Sequence, residues 1–229
     1  VIAGLFVANK NILKDYFTKK FKKKGQDIVE NNHTAFTKGY ELGQTAKKEQ
    51  GITYDLVADD AVKDEILFNG NQAVALGAIA GGCNFISAYP MSPSTGVLQF
   101  LAQHSKEFGI VVDQAEDEIA AINKTLGAWF AGARAIASTS GGGFALMGEG
   151  LSLAGITETP VVVHIAQRPG PATGLPTRTG QEDLNLALYG GHGEFPRMIF
   201  APGTIQQAFY LTQKAFNLAY NSGYFTSET

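Results

Sequence analysis

A glutamate at the start of an apolar helical segment is the side chain in this sequence best placed for acid–base chemistry. The segment EDEIAAINKTLGAWFAGARA begins with three acidic residues. Glu116 and Asp117 suit the positive end of a helix dipole, whereas Glu118 can begin the buried face. A carboxylate at the edge of an apolar face costs free energy unless it gains a partner, and its pKa is expected to rise. From these residues alone, an ordinary helix N-terminal glutamate remains the simpler explanation.

Four polar or glycine-rich loops follow strand-like segments, and they could form the walls of a ligand site. Their sequences are YPMSPST, DQAEDE, STSGGG and AQRPGPATGLPTRTGQED. The two prolines of YPMSPST remove N–H donors and fix φ, so this stretch forms a stiff loop rather than more sheet. The last loop is long, and long loops inside a compact domain are usually functional or disordered.

Other candidates have simpler structural explanations. STSGGG lacks both phosphate-binding patterns, GxxxxGK[ST] and GxGxxG, so by itself it indicates a turn. His164 lies in an apolar strand and is expected to be a core histidine, and His192 in GGHGEF is expected in a loop. Ser140 and Ser152 lack the flanking glycines of a nucleophile elbow, which argues against a serine hydrolase.

The elements that must position these side chains alternate between helix and strand from Leu67 onward. Short apolar strands such as PVVVHIA, alternating with helices, predict an α/β fold with an open parallel sheet and helices on both faces. In such a sheet, ligands bind beyond the carboxyl ends of the strands, where the four loops lie. The predicted helices are 70–82, 92–106, 116–131, 144–155 and 204–221, and the predicted strands are 84–88, 110–113, 133–138, 160–166 and 197–200.

The N-terminal part follows a different pattern. Residues 11–48 show two amphipathic helical stripes separated at Gly25, and residues 49–66 are polar and irregular, as a linker would be. Residues 67–229 then form the main domain. The opening residues VIAGLFVANK lack a signal peptide's charged region and begin within a helical rhythm, which suggests a piece of a longer protein.

Composition excludes several classes of function. The chain has 229 residues, 45% of them apolar, and a formal charge of -3, so it can bury a core and has no electrostatic footprint for nucleic acid. The lysines between Lys19 and Lys24 are interpreted as a solvated helix face. The single cysteine, Cys83, excludes an internal disulfide and a metal site built from this chain's thiolates alone. No run is long enough to cross a membrane, and we expect a cytoplasmic, reducing location.

Several motifs in order resemble the α subunit of 2-oxoacid:ferredoxin oxidoreductases. They are YPMSPST, then E-IAAINKTLGAWFAGARA-ASTSGGGFALMGEGLSLAG, then PVVV-IAQRPGPATGLPT-T-QEDL and GHGEFPR. The likeness covers most of residues 67–221, and the form AQRPGPATGLPT is more similar to the 2-oxoglutarate branch than to the pyruvate enzymes. Residues 1–48 resemble the C-terminal helices of a γ domain, which some members carry fused ahead of α.

The resemblance implies the pyrimidine domain of a thiamine diphosphate-binding fold and a role for each of four residues. Glu118 lies nine residues before Gly127, where the family's glutamate bonds N1′ of the pyrimidine and so promotes deprotonation of C2. Pro90 is expected to contact the cofactor. Arg168 is expected to bind the substrate carboxylate through its guanidinium, and Ser92 to add a hydroxyl where relatives often have threonine.

The reaction that the resemblance implies is oxidative decarboxylation of a 2-oxo acid, with 2-oxoglutarate the expected substrate. Coenzyme A would take the acyl group, and ferredoxin the electrons. Thiamine diphosphate would be shared with a β subunit, which would also carry Mg²⁺ and a [4Fe-4S] cluster, and no metal ligands are expected on this chain. Relatives continue beyond YFTSET into another strand, so we expect a domain truncated before its last strand and inactive alone.

Two other functions stay open at this level. One is a related thiamine diphosphate enzyme that passes its electrons or acyl group to a different acceptor. The other is a non-catalytic α/β domain that keeps the scaffold for assembly only. Glu118, Ser92 and Arg168 together argue against the second, because an assembly domain does not need all three.

Overall fold

The computed structural model describes residues 1–222 and 225–228 and divides the chain into two compact units, Val1–Ile66 and Leu67–Thr229. The first unit is helical. Its helices are α1 (Ile2–Leu5), α2 (Lys10–Phe21) and α3 (Gln26–Glu49), with short 3₁₀ turns at Lys22–Lys24 and Asp60–Val62. Asn9 caps α2 by accepting a hydrogen bond from the Asn11 N–H at 2.9 Å. The rings of Phe17 and Phe36 join α2 to α3.

The second unit is an α/β domain, as the sequence pattern predicts. Its elements are α4 (Gly70–Ala80), β1 (Phe85–Ala88), α5 (Thr95–Phe108), β2 (Val111–Gln114), α6 (Glu118–Phe130), β3 (Ala135–Thr139), α7 (Gly141–Leu146), α8 (Gly148–Thr157), β4 (Val161–Ile165), α9 (Leu184–Tyr189), β5 (Arg197–Phe200), α10 (Ile205–Ser222) and β6 (Phe225–Glu228). The strands form a parallel sheet in the order β2-β1-β3-β4-β6-β5.

Apolar residues on both faces of the sheet form its two cores and explain the apolar runs of the central strands. On one face, Ile86, Ile136 and Val162 pack against residues of α4, α5 and α10. On the other, Val163 and Ile165 pack against Ile122 and other residues of α6, α7 and α8. A strand covered on both sides needs apolar residues at successive positions, and this produces continuous apolar runs such as VVV.

The strand order places a topological switch point between β1 and β3. The chain leaves β1 toward β2 at one edge, then returns to place β3 on the other side of β1. Helix α5, which follows β1, lies on one face, and α7 and α8, which follow β3, lie on the other. The loops after β1 and β3 therefore diverge and leave a crevice, the usual ligand position in open α/β sheets.

Several predicted boundaries are wrong. The helix predicted over 144–155 is two helices, because the chain turns helical at Gly141 and breaks near Met147. Helix α5 begins at Thr95 rather than at 92, since Ser92 and Pro93 belong to the preceding loop. Two elements had no prediction: α9 within the long loop, and β6, which pairs between β4 and β5. Of the described helices, none is long and apolar enough to span a membrane.

Candidate functional site

Glu118 is the first residue of α6 and its side chain is buried. Asp117 is the N-cap, and its carboxylate accepts a hydrogen bond from the Ala120 N–H at 2.7 Å, so the helix starts at a defined point. Glu118 is only 3% exposed, which confirms that it begins the buried face. Burial is the largest cause of a raised pKa for this carboxyl group, and Asp117 adds to it while Arg168 opposes it. Oε1 of Glu118 is buried without a hydrogen-bond partner.

The backbone of Gly143 forms one side of the space around this carboxyl group. A Cβ at position 143 would lie 2.1 Å from Oγ1 of Thr139 and 2.6 Å from Oε1 of Glu118. Both distances are far below van der Waals contact, so glycine is required for Glu118 to lie where it does. The STSGGG segment is thus more than the turn that its pattern indicates, because it ends β3, begins α7 and packs on the glutamate.

Arg168 joins the long loop after β4 to the loop after β1. Its side chain is 7% exposed, and Nη1 donates a hydrogen bond to the Ser92 carbonyl at 2.8 Å. Its Nε is buried without a partner. The electrostatic interaction between Arg168 and Glu118 shows that the two charged groups are near each other. Two of the predicted site residues, one at a helix start and one in a loop, are therefore brought together from positions 50 residues apart in sequence.

Ser92 and Pro90 lie in the same loop, with different exposure. Ser92 is exposed and contributes its carbonyl, rather than its hydroxyl, to the contact with Arg168. Pro90 is half-buried. The loop approaches β3 at Met91, whose sulfur lies 3.9 Å from Oγ1 of Thr139. The YPMSPST loop therefore borders the Glu118 crevice, as expected from its place after β1.

Ser140, which the sequence offered only as an unlikely hydrolase nucleophile, and Asp183, which sequence reasoning missed, are further polar residues of the site. Oγ of Ser140 and Oδ2 of Asp183 are both buried without a hydrogen-bond partner. Asp183 lies directly over Gly141, where a Cβ would be 2.0 Å from Oδ1. Burial, followed by the neighbouring charge of Glu182, raises the pKa of the Asp183 carboxyl group. Its place in the sequence could have indicated this role, because Asp183 is the last residue of the long loop and directly precedes an apolar segment.

Unpartnered polar atoms concentrate at this corner of the domain. Among the described residues, buried side-chain N and O atoms without a partner occur on Glu118, Ser140, Arg168 and Asp183, and on Arg134. The first four belong to the loops and helix starts beyond the carboxyl ends of β2, β3 and β4. Buried polar atoms are rarely left unpaired in native proteins, so the corner is suited to a ligand that supplies the missing partners.

His164 does not belong to this group. Its side chain lies on the opposite face of the sheet, where Nδ1 is 2.9 Å from Oγ of Ser138. Burial lowers its pKa to about 4, so the imidazole is neutral at physiological pH, and this agrees with the expected core histidine. It lines a cavity of about 380 Å³ together with neutral amides such as Asn71 and Gln167. His192 lies in an exposed loop, as its sequence context indicates.

Within residues 1–222 and 225–228, no group of three His, Cys, Asp or Glu side chains is arranged to hold a metal ion. The groups available for chemistry at this corner are therefore two carboxyl groups, a hydroxyl and a guanidinium, which belong to Glu118, Asp183, Ser140 and Arg168. Such a set can bind a ring nitrogen and a carboxylate, and burial raises the pKa of both carboxyl groups, which favours their protonated forms.

Residues 76–226 match one protein-family model, described as pyruvate flavodoxin/ferredoxin oxidoreductase, thiamine diphosphate-binding. Among curated proteins, the chain is 46% identical over 154 residues to the 2-oxoglutarate synthase subunit KorA of Archaeoglobus fulgidus, which covers 67% of this chain and 44% of the relative. It is 46% identical over 188 residues to a 2-oxoacid:ferredoxin oxidoreductase subunit alpha of Saccharolobus solfataricus, covering 77% of this chain and 30% of the relative. The chain thus spans less than half the length of these relatives.

A solved structure resembles nearly the whole chain. It is the 2-oxoglutarate:ferredoxin oxidoreductase from Magnetococcus marinus, with 2-oxoglutarate, coenzyme A and succinyl-CoA bound. The TM-score is 0.82 at 38% sequence identity, and the match covers 99% of this chain and 39% of that chain.

Proposed function

Because the chain belongs to the thiamine diphosphate-binding family of pyruvate flavodoxin/ferredoxin oxidoreductases, we propose that it forms the pyrimidine-binding wall of a 2-oxoacid:ferredoxin oxidoreductase. The proposed reaction is the oxidative decarboxylation of 2-oxoglutarate. The observation that carries the proposal is the buried, unpartnered carboxyl oxygen of Glu118 at the start of α6.

The residues at this corner fit an aminopyrimidine ring. The ring presents a nitrogen acceptor, N1′, and Glu118 offers a carboxyl group whose raised pKa favours the protonated form that can donate to it. Oε1 of Glu118 lacks any other partner, and Gly143, which has no side chain, lets the backbone of α7 pack closely against the carboxyl group. A carboxyl group that already had its partners, or that lay in water, would not suit this role.

Thiamine diphosphate, when bound, supplies the carbon nucleophile and the electron sink that decarboxylation of a 2-oxo acid requires. The part of Glu118 in that chemistry is to hold a proton at its carboxyl group and to share it with the ring nitrogen. Thr139 and the Gly143 backbone exclude water from one side of this hydrogen bond. Water exclusion matters because the hydrogen bond is stronger, and the proton better retained, in a site of low dielectric constant.

Arg168 is proposed to bind the carboxylate of the oxo acid. One of its N–H groups is engaged by the Ser92 carbonyl, which fixes the guanidinium plane. A planar guanidinium has five N–H donors, so others remain for a carboxylate. Nε of Arg168 is buried and unpartnered, which is the state expected of a donor that awaits an anionic ligand. The exposed Ser92 is proposed to donate its hydroxyl to the same substrate, and Pro90 to pack against the cofactor.

The rest of the proposed enzyme lies outside this chain. We propose that a β subunit binds the diphosphate with Mg²⁺ and carries the iron–sulfur cluster, that ferredoxin accepts the electrons, and that coenzyme A takes the acyl group. The bound 2-oxoglutarate, coenzyme A and succinyl-CoA of the Magnetococcus marinus structure support the substrate pair. Residues 1–48 are proposed to be the C-terminal helices of a γ-type domain, and the 99% coverage by a single chain of that enzyme supports this assignment.

Glu118→Gln tests the proposal in the full chain assembled with its partner subunit. We expect exchange of the thiamine C2 proton, followed by NMR, to slow by about 10²–10⁴-fold, the usual contribution of a proton-transferring side chain. Glu116→Gln is the matched control, because Glu116 is an exposed carboxylate two residues earlier that bonds only Lys124 among the described contacts. Affinity for thiamine diphosphate is measured alongside, by quenching of protein fluorescence.

One result would overturn the proposal. If the Glu118→Gln protein binds the cofactor and still exchanges the C2 proton at the rate of the wild type, Glu118 is not the acid–base group. The choice of substrate is tested separately by thiamine- and coenzyme A-dependent viologen reduction with 2-oxoglutarate, pyruvate and 2-oxoisovalerate. Turnover of pyruvate in preference to 2-oxoglutarate would refute the substrate assignment alone.

A further inference from the structure

We propose that Asn71 is a positioning residue for substrate binding, acting on Arg168 through the loop after β1. The inference rests on the proposed function of Arg168. Asn71 lies on α4, and its amide Nδ2 donates a hydrogen bond to the Pro93 carbonyl at 2.9 Å.

The position of Asn71 is fixed by the way α4 begins. Asn69 caps the helix by accepting from the Gln72 N–H at 2.9 Å, and the Gln72 side chain accepts from the Asn69 N–H at 3.0 Å. This reciprocal capping box holds the first turn of α4 in one conformation. Asn71 lies between the two capping residues, so its amide is presented to the loop from a rigid backbone.

The loop is held partly by its own groups and partly from outside. Within it, the Ser94 N–H, the Ser94 hydroxyl and the Thr95 N–H all donate to the Met91 carbonyl, while Pro90 and Pro93 supply no N–H. Two adjacent carbonyls are held by side chains from other elements: Ser92 by Arg168 at 2.8 Å, and Pro93 by Asn71 at 2.9 Å. The guanidinium of Arg168 is therefore oriented by a carbonyl whose own position depends on Asn71. If the Asn71 contact is lost, we expect the Pro93 carbonyl to shift, and the adjoining Ser92 carbonyl and Arg168 to shift with it.

Gly96 confirms how closely the Asn71 amide is packed. A Cβ at position 96 would lie 2.7 Å from Nδ2 of Asn71 and 3.0 Å from its Cβ and Cγ. Gly96 lies in the first turn of α5 and does not have a left-handed backbone conformation, so the backbone there accepts alanine. The contact with Asn71 is then the steric conflict that the substitution introduces. The three atoms nearest to the new methyl group all belong to Asn71, so Gly96→Ala displaces the amide and provides a second way to break the same hydrogen bond.

The test compares Asn71→Ala, Asn71→Asp, Gly96→Ala and the double variant Asn71→Ala/Gly96→Ala in the assembled enzyme. Asn71→Asp keeps the shape of the side chain and removes its N–H donors. Asn123→Ala is the matched control, because the Asn123 amide is exposed and bonds only the Ile119 carbonyl of its own helix. The measurements are KM and kcat for 2-oxoglutarate, C2 proton exchange and affinity for thiamine diphosphate.

We expect Asn71→Ala and Asn71→Asp each to raise KM by about tenfold, the size of effect that one lost hydrogen bond produces. C2 proton exchange should stay at the wild-type value, since Glu118 is untouched, and the measured affinity for thiamine diphosphate serves to confirm that every variant is compared with its cofactor bound. Gly96→Ala should raise KM similarly, and the double variant should match Asn71→Ala, because both changes remove one contact. Asn123→Ala should leave KM unchanged.

Two outcomes would overturn the inference. Wild-type KM in Asn71→Asp would show that the shape of the side chain, not its donor, is what matters. A tenfold loss of C2 exchange along with the rise in KM would show general disruption of the site rather than positioning of Arg168. Arg168→Ala separates a failure of this inference from a failure of the proposed function. If Arg168→Ala raises KM while the Asn71 and Gly96 variants do not, only the role of Asn71 is refuted. If Arg168→Ala leaves KM unchanged, the proposed role of Arg168 in binding substrate is refuted as well.

Discussion

Gly143→Ala is expected to inactivate the site without adding or removing any ionisable group. The new Cβ would lie 2.6 Å from Oε1 and 2.7 Å from Cγ of Glu118, and 2.1 Å from Oγ1 of Thr139. An ordinary contact between such atoms is about 3.4–4 Å. The carboxyl group must therefore move by about 1 Å, because the methyl group is attached to a helix backbone that cannot yield as easily.

The size of the effect follows from this displacement. A misplacement of about 1 Å costs about 10²-fold in rate, which corresponds to ~2.7 kcal/mol of transition-state stabilisation. Overpacking also destabilises the fold by about 1–3 kcal/mol, offset by up to ~1 kcal/mol because alanine is the better helix former. We therefore expect a folded protein with slightly lower stability and C2 proton exchange that is about 10²-fold slower.

The assay is C2 proton exchange in the assembled enzyme, with urea unfolding to confirm that the variant is folded. Gly127→Ala is the control, because it places the same methyl group in α6, the helix of Glu118, at an exposed position where no atom lies within 4 Å. That variant should exchange at the wild-type rate and be as stable as the wild type or more so. Normal exchange in a folded Gly143→Ala enzyme would refute the assigned geometry around Glu118.

Three further changes probe other parts of the domain. Arg168→Lys should raise KM for 2-oxoglutarate by about 10–100-fold, since a point charge cannot hold the Ser92 carbonyl and a carboxylate in one plane; an unchanged KM would contradict this. Burial lowers the pKa of His164 to about 4 from 6.5, so the folded state resists protonation, and stability is lost as pH falls from 6.5 toward 4. Between pH 7.5 and pH 5, the free energy of unfolding measured in urea should fall by about 2 kcal/mol more in the wild type than in His164→Asn. An equal fall in both proteins would be evidence against a buried, neutral imidazole. Asp117→Ala removes the N-cap of α6 and should cost about 1 kcal/mol in urea unfolding, whereas no loss would mean that the helix start does not depend on Asp117.

Local sequence was sufficient for the class of fold and for most elements. The apolar runs around β1, β3 and β4 are long enough to be recognised, because a strand buried on both faces has no polar side to interrupt the run. Local sequence was not sufficient where a tertiary contact decided which secondary structure forms. The strand Phe225–Glu228 lies between β4 and β5 in the sheet, and its short, mixed sequence has little strand signal of its own. The Gly141 start of α7 was missed because three glycines disfavour a helix locally.

By itself, the sequence indicated that Glu118 begins the buried face of a helix, that Arg168 and the YPMSPST loop follow strands, and therefore that all three lie at one edge of a parallel sheet. Only the tertiary structure decided how they meet: Arg168 on the Ser92 carbonyl, and Gly143 against the Glu118 carboxyl group. It also revealed Ser140 and Asp183 as unpartnered polar groups of the same corner. The physical reason is that periodicity and propensity act between neighbours along the chain. Burial, and with it the raised pKa of Glu118, depends on which distant segments exclude water from the site.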